Sequence, residues 1–249
     1  MLTWLRTALF ALLAILSLLL HTPILLVARF LPFERRYRLL YSFGLSLLWL
    51  ARVITGIRYE VEGMEHLDPA GGNLVLAKHQ SMWETMFLPS TLRFPVFVLK
   101  RELLRIPVFG QGLKAIVPIA IDRSSGRKAL AQILKQGKQA LIDGRDVVIF
   151  PEGTRRLPGA APNYRIGGAM LAERSHARVV PMAVDSGCLW PKKGFRMRPG
   201  TIHVVFGPPI ETQGRTANEI NDATQEWIEA TQEALYARHG CPNHVSGPA

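Results

Sequence analysis

Hydrophobic positions divide the chain into two textures. From Ala8 to Leu20 the apolar run is broken only by Ser17, and after His21-Thr22-Pro23 it resumes through Ala28. A helix over 8–20 rises about 20 Å, short of a hydrocarbon slab of roughly 30 Å. Crossing therefore needs the second part of the run, with a kink at Pro23. A second apolar stretch, Tyr37 to Leu50, ends at Trp49 and Arg52. Beyond Gly56 short β-branched runs alternate with longer amphipathic ones, which places a boundary near Ile57.

In the second texture Ile57–Val61, Leu74–Lys78, Val96–Leu99, Asp146–Phe150, Val179–Val184 and Ile202–Phe206 read as strands, as does Ile116–Ile121 with Pro118 interrupting it. Trp83–Leu92 and Gly168–Arg174 read as helices. The clearest helix is Arg127–Asp143, where Leu130, Ile133, Leu134, Gly137 and Leu141 fall near one face and Gly144 stops it. Thr216 and Glu219 form a capping box for a last helix whose Ile220, Trp227, Thr231 and Leu235 share a face. Strands alternating with helices predict an α/β fold, a mixed β-sheet surrounded by helices. The expected organisation is N-terminal membrane-associated helices over 1–56, the α/β domain over 57–212, and a C-terminal helix with a loose tail over 213–249.

Charge sharpens the membrane reading. Formal net charge is +11, and residues 1–58 hold seven Arg, no Lys and one acid, Glu34. No nucleic-acid module pattern is present, so anionic lipid is the expected partner of this basicity, each Arg near it gaining about 1 kcal/mol. The cluster Arg29, Arg35, Arg36 and Arg38 disfavours a hairpin dipping into lipid, because its tip would be the deepest part. The expected arrangement is an embedded or spanning first helix, the Arg cluster at the cytosolic surface of the inner membrane, and a second helix lying along the membrane. A cleaved signal peptide competes, since Arg6 and the run after it fit an n-region and h-region. His-Thr-Pro follows instead of a small-x-small site, so retention is expected.

Cys188 and Cys241 are the only cysteines and suggest neither a disulfide framework nor a metal array; a reduced, cytosol-facing domain fits them. The seven His show no His-Glu-x-x-His spacing, and no metal is expected.

Two motifs carry chemistry: Lys78-His79-Gln80-Ser81-Met82-Trp83-Glu84, and Phe150-Pro151-Glu152-Gly153-Thr154-Arg155. An imidazole with an orienting carboxylate is a general base for an alcohol. Five residues turn an ideal helix by about 140°, so His79 and Glu84 pair only if His79 precedes the helix and Glu84 lies in its first turns. The second motif is a Gly turn flanked by a carboxylate and guanidinium groups, suited to a phosphorylated polyol. Lys100 and Arg123 sit at further strand ends, where ligands of α/β sheets gather.

Lys100 through Gly110, then Ile121-Asp122-Arg123, the Pro-Glu-Gly-Thr-Arg turn and Val180-Pro181-Met182 complete a series. Over roughly residues 58 to 210 it resembles the glycerolipid acyltransferase family, whose best-known members acylate 1-acylglycerol 3-phosphate. That family's usual pattern is His-x4-Asp; Glu84 departs from it by one methylene. The resemblance implies His79 and Glu84 as the catalytic pair and acceptor binding by Glu152, Gly153, Arg155 and, in part, Arg123. Lys100 is a further candidate and Thr154 a brace for the turn; Val180-Pro181-Met182 lines an acyl path or simply packs.

The expected reaction is direct acyl transfer to 1-acylglycerol 3-phosphate (lysophosphatidic acid), giving phosphatidic acid. The co-substrate is acyl-CoA or acyl carrier protein, with no other cofactor. Another lyso-lipid acceptor is the close rival. A lipid hydrolase using Ser81 or Ser125, and a non-catalytic binder of anionic lipid, stand as alternatives of other classes.

Overall fold

In a computed structural model of the chain, residues 1–28, 30–192 and 196–241 are described. Arg29 of the arginine cluster and the end of the expected loose tail, 242–249, lie outside them.

The apolar N-terminus forms two helices, α1 (Leu2–Ala28) and α2 (Phe33–Leu50), and a wide helical turn over Ala51–Thr55 continues the second. Pro23 lies inside α1, which continues past it to Ala28. The helices pack antiparallel: Ser17 Oγ lies 2.8 Å from Ser46 Oγ, and the His21 and Phe43 rings stand 5.4 Å apart. The second apolar helix is thus one arm of a hairpin with the first. The physical reason is that α2 has partners on two sides. Besides α1 it meets the domain, where the Tyr37 hydroxyl donates to Pro95 O and the Tyr41 hydroxyl to Met86 O, each at 3.0 Å. Leu2–Ile24 and Phe33–Thr55 are each long and apolar enough to cross a membrane.

A seven-stranded sheet has the order β1-β7-β6-β2-β5-β3-β4. Its strands are β1 (Ile57–Glu62), β2 (Leu74–Ala77), β3 (Val96–Lys100), β4 (Ile119–Ile121), β5 (Val147–Ile149), β6 (Val179–Val184) and β7 (Gly200–Phe206). Only the β6–β7 pair is antiparallel, so the sheet is mixed. The middle strands are apolar throughout, as strands covered on both faces must be. Val75, Val148, Val180 and Met182 pack with the hairpin side and with α3 (Trp83–Thr91). Leu74, Leu76, Val147, Ile149 and Val179 face α5 (Gly126–Ile142), α6 (Gly167–Ser175) and α8 (Ala217–His239).

Several expectations shift. The strand expected over Ile116–Ile121 begins only at Ile119, because Pro118 lacks a ladder donor and Val117 adopts φ +54°. A short helix, α4 (Phe109–Ala115), stands where no regular element was expected. Val180-Pro181-Met182 is buried mid-sheet and packs; among the described residues it takes no part in lining the cavity beside His79. In α8 the capping box is present, but the buried stripe runs through Ile220, Thr224, Ile228, Gln232 and Leu235; Trp227 and Thr231 are only half-buried. The expectation of two unpaired thiols is overturned. Cys188, in the short helix α7 (Ser186–Leu189), forms a disulfide with Cys241 just beyond α8. Nothing in a sequence separation of 53 signals this pairing. It arises because α8 packs back along β6, whose end leads into α7.

Candidate active site

Strands β2, β5, β3 and β4 run parallel, so their C-terminal ends share one edge of the sheet. His79 follows β2, the Pro151–Arg155 turn follows β5, Lys100 ends β3 and Arg123 follows β4. Four motifs far apart in sequence thereby meet at the edge where α/β sheets bind ligands.

Local hydrogen bonding sets the His79 block. The first turn of α3 exposes backbone N–H groups that need acceptors. Ser81 Oγ accepts from Trp83 N–H at 2.9 Å. The Glu84 carboxylate folds back to accept from the N–H of Gln80 at 3.0 Å and of Ser81 at 3.0 and 3.1 Å. The methylene that distinguishes Glu from Asp is taken up by this backward reach. A further bond comes from the Ser186 hydroxyl, which donates to Glu84 Oε1. The carboxylate is wholly buried, and its Oε2 lies 3.5 Å from His79 Nδ1, an electrostatic contact longer than a formed hydrogen bond. His79 stacks on Phe150 at 4.0 Å and reaches the cavity described below.

The turn after β5 is built from within. Gly153 has φ +66°, and a Cβ there would sit 3.1 Å from Arg165 Nε, so glycine suits both the backbone and its neighbour. For Glu152 the resemblance implies acceptor binding, which would need its carboxylate to face the cavity. Instead its carboxylate points inward: Oε2 accepts the His79 N–H at 3.1 Å and Oε1 lies 3.1 Å from Lys78 Nζ. Lys78 in turn reaches Glu229 Oε1 on α8 at 2.7 Å, and the Tyr164 hydroxyl donates to that oxygen at 2.8 Å. Burial raises the Glu152 pKa, opposed by Lys78 and by the His79 N–H. The Tyr164 hydroxyl is raised as well, by burial and then by Glu229 and Glu152. Glu152 is therefore a support under His79; it forms no part of the cavity wall.

A cavity of about 480 Å³ opens beside the ring. At its polar end lie His79, Lys100, Arg123, Gly153, Arg155 and Arg165. The Arg123 pKa is lowered, first by burial and then by Arg165, with Glu102 opposing. Cations crowded in this way are relieved by an incoming anion. Lys100 is exposed and 3.9 Å from Glu102. Thr154 is exposed, and among the described residues its side chain makes no hydrogen bond, so no bracing is seen. Beyond the cations the cavity turns apolar, lined by Leu18, Phe43 and Leu47 of the hairpin and by Phe109 and Leu113 of α4.

Sequence reasoning missed Arg165, Ser186, Tyr164 and Glu229. None belongs to a motif, and each arrives through tertiary packing. Lys78 was quoted within the first motif but given no role. Among the described residues no group of three His, Cys, Asp or Glu side chains is placed to hold a metal ion.

The geometry agrees with similarity to known proteins. The family model for Acyltransferase matches residues 58–185. The 1-acyl-sn-glycerol-3-phosphate acyltransferase of Pseudomonas aeruginosa is 43% identical over 213 residues, covering 84% of this chain and 82% of that protein. The enzyme of the same name from Limnanthes alba is 32% identical over 72% of this chain, which spans 62% of the plant protein's length. The crystal structure of the 1-acyl-sn-glycerophosphate acyltransferase PlsC from Thermotoga maritima superposes with a TM-score of 0.78 at 22% identity, covering 95% of this chain and 97% of that one, and so shares the fold. With a matching domain that contains the His79 block and the Glu152 turn, and relatives alike over most of their length, the chain belongs to the acyltransferase family.

Proposed function

We propose that the protein acylates the free hydroxyl of 1-acyl-sn-glycerol 3-phosphate with a long-chain acyl group from a thioester, making phosphatidic acid. One observation carries this reading: the His79–Glu84 pair opens where a cluster of arginines meets an apolar cavity. The substrates have the same two-part chemistry, a phosphate beside the reacting hydroxyl and an alkyl chain. The relatives' names support the acceptor.

With Nδ1 turned toward Glu84, the other ring nitrogen takes the acceptor's hydroxyl proton as the oxygen attacks the thioester carbonyl. Glu84 stabilises the imidazolium. The C–S bond then breaks, and the imidazolium returns its proton to the departing thiolate. Arg123, Arg155 and Arg165 hold the phosphate, Arg being suited to bidentate contact. No acyl-enzyme is needed. Ser81, the hydroxyl nearest in sequence, is buried and accepts the Trp83 N–H, which argues against the hydrolase reading. The donor is acyl-CoA or acyl carrier protein, and no further cofactor takes part.

The apolar hairpin supports a place in or on a membrane. We place the catalytic domain at the cytosolic face of the inner membrane, where both donors are available.

The test is an assay of purified protein with a panel of lyso-lipids and both donors. Preference for the phosphate monoester and loss of about 10²- to 10⁴-fold in rate for His79→Ala are expected. Equal turnover of acceptors without phosphate, or an active His79→Ala enzyme, overturns the reading.

A further inference from the structure

Glu84 works only if a carboxylate oxygen is aimed at His79, and since the two oxygens are equivalent, what must be held is the plane of the carboxylate. Two backbone donors hold one side of it: Ser81 N–H reaches both oxygens, at 3.0 and 3.1 Å, and Gln80 N–H reaches Oε1 at 3.0 Å. Ser186 is the donor that comes from outside the His79 block: its hydroxyl joins the Gln80 N–H on Oε1, and Oε2 is left facing Nδ1. Ser186 is 102 residues from Glu84 in sequence, is completely buried, and lies outside both motifs.

The turn carrying Ser186 is fastened to its surroundings on every side. Asp185, just before it, accepts the His203 N–H at 2.7 Å and lies 2.8 Å from His203 Nδ1 on β7. Gly187, just after it, donates to Gln80 Oε1 at 3.0 Å, and Gln80 in turn donates to the Tyr236 hydroxyl of α8. A Cβ at Gly187 would lie 2.9 Å from Gln80 Cβ, so the turn needs glycine to approach this closely. Cys188 is bonded to Cys241. A hydroxyl placed so firmly holds its acceptor in one orientation.

We propose that Ser186 is a positioning residue for acyl transfer, holding the plane of the Glu84 carboxylate so that one oxygen steadies the His79 ring. This rests on His79 being the base. It adds a residue that acts through Glu84 and touches no substrate.

The test is a double-mutant cycle in the full-length protein with Ser186→Ala, Glu84→Gln and both together, measuring kcat and KM for acceptor and donor. Residues that act as a unit are strongly non-additive. The expected result is a kcat lower by about tenfold in Ser186→Ala, KM values within twofold of wild type, and no further fall when Ser186→Ala is added to Glu84→Gln. An undiminished kcat, a loss confined to KM, or effects that multiply across the cycle overturns the proposal. If Ser186→Ala does not melt cooperatively, Ser186→Gly is read in the same cycle. A wild type that prefers another lyso-lipid overturns the acceptor assignment alone, and the cycle is then read on that acceptor.

Discussion

Lys78 Nζ lies 3.1 Å from Glu152 Oε1, with their side chains 3% and 0% exposed. This buried pair joins the two signature segments of the site, because Lys78 precedes His79 and Glu152 holds the His79 N–H. Removing one member of a buried pair leaves an uncompensated charge, at a cost of about 3–5 kcal/mol. Lys78→Met should therefore lower the melting temperature sharply and abolish turnover, although Lys78 touches no substrate. Thermal melts beside the activity assay check this; a variant melting as wild type would remove the structural role.

Glu152 gives a pH dependence with a definite sign. Burial raises its folded pKa above the ordinary 4.5, so ionising it costs more in the folded protein than in the unfolded chain. Its contribution is complete below that ordinary value and declines as pH rises through the raised folded one. Glu152→Gln, which cannot ionise, should be at its greatest disadvantage against wild type near pH 4 and recover ground toward pH 7. Paired melts across that range decide it, and a disadvantage that grows with pH contradicts the assignment.

Arg165 shares the cavity's polar end with Arg123. Arg165→Ala should raise KM for a phosphate-bearing acceptor by about tenfold, the loss of roughly 1.4 kcal/mol, and leave KM for the thioester nearly unchanged. High salt should reproduce part of the effect in wild type. Steady-state kinetics with each substrate varied in turn would show a donor-side defect if the arginine served the other substrate.

Reduction of the Cys188–Cys241 bridge should also be visible. Opening a disulfide typically removes about 2–4 kcal/mol of stability. Dithiothreitol should lower the melting temperature of wild type but not of Cys241→Ser, and alkylation of unreduced, denatured protein should leave both cysteines unlabelled. Labelling of both would mean that the thiols are free. On the cytosolic face, the bridge would make stability answer to the compartment's reductants.

Much of the fold could be read from local pattern. The fully apolar runs Val147–Ile149 and Val179–Val184 admit little besides covered strands, and Thr216 with Glu219 marks the start of α8. The approach of His79 and Glu84 was accessible too, because helical geometry forbids their pairing unless the ring precedes the helix. Direction was harder to read. The Glu152 carboxylate could point out to substrate or in to Lys78, and only the pairing of β2 with β5, which sets the His79 N–H and Lys78 Nζ each 3.1 Å from its oxygens, shows which. Ser186 and Cys188 were illegible for the same reason, their partners being supplied by chain crossings with no sequence periodicity. Val117 and Pro118 show the opposite failure, a run of apolar residues that reads as strand until backbone geometry intervenes.

The antiparallel packing of α1 and α2 has a consequence for how the first 56 residues are regarded. Because Leu18, Phe43 and Leu47 furnish one wall of the apolar part of the cavity, the hairpin is part of the site's enclosure. A shortened protein beginning at Ile57 would lose that wall, together with the Tyr41 bond to Met86 O on α3, and leave the cavity open to solvent. Two helices long and apolar enough to cross a membrane are thus also a wall of the cavity, and a truncation that removes one property removes the other.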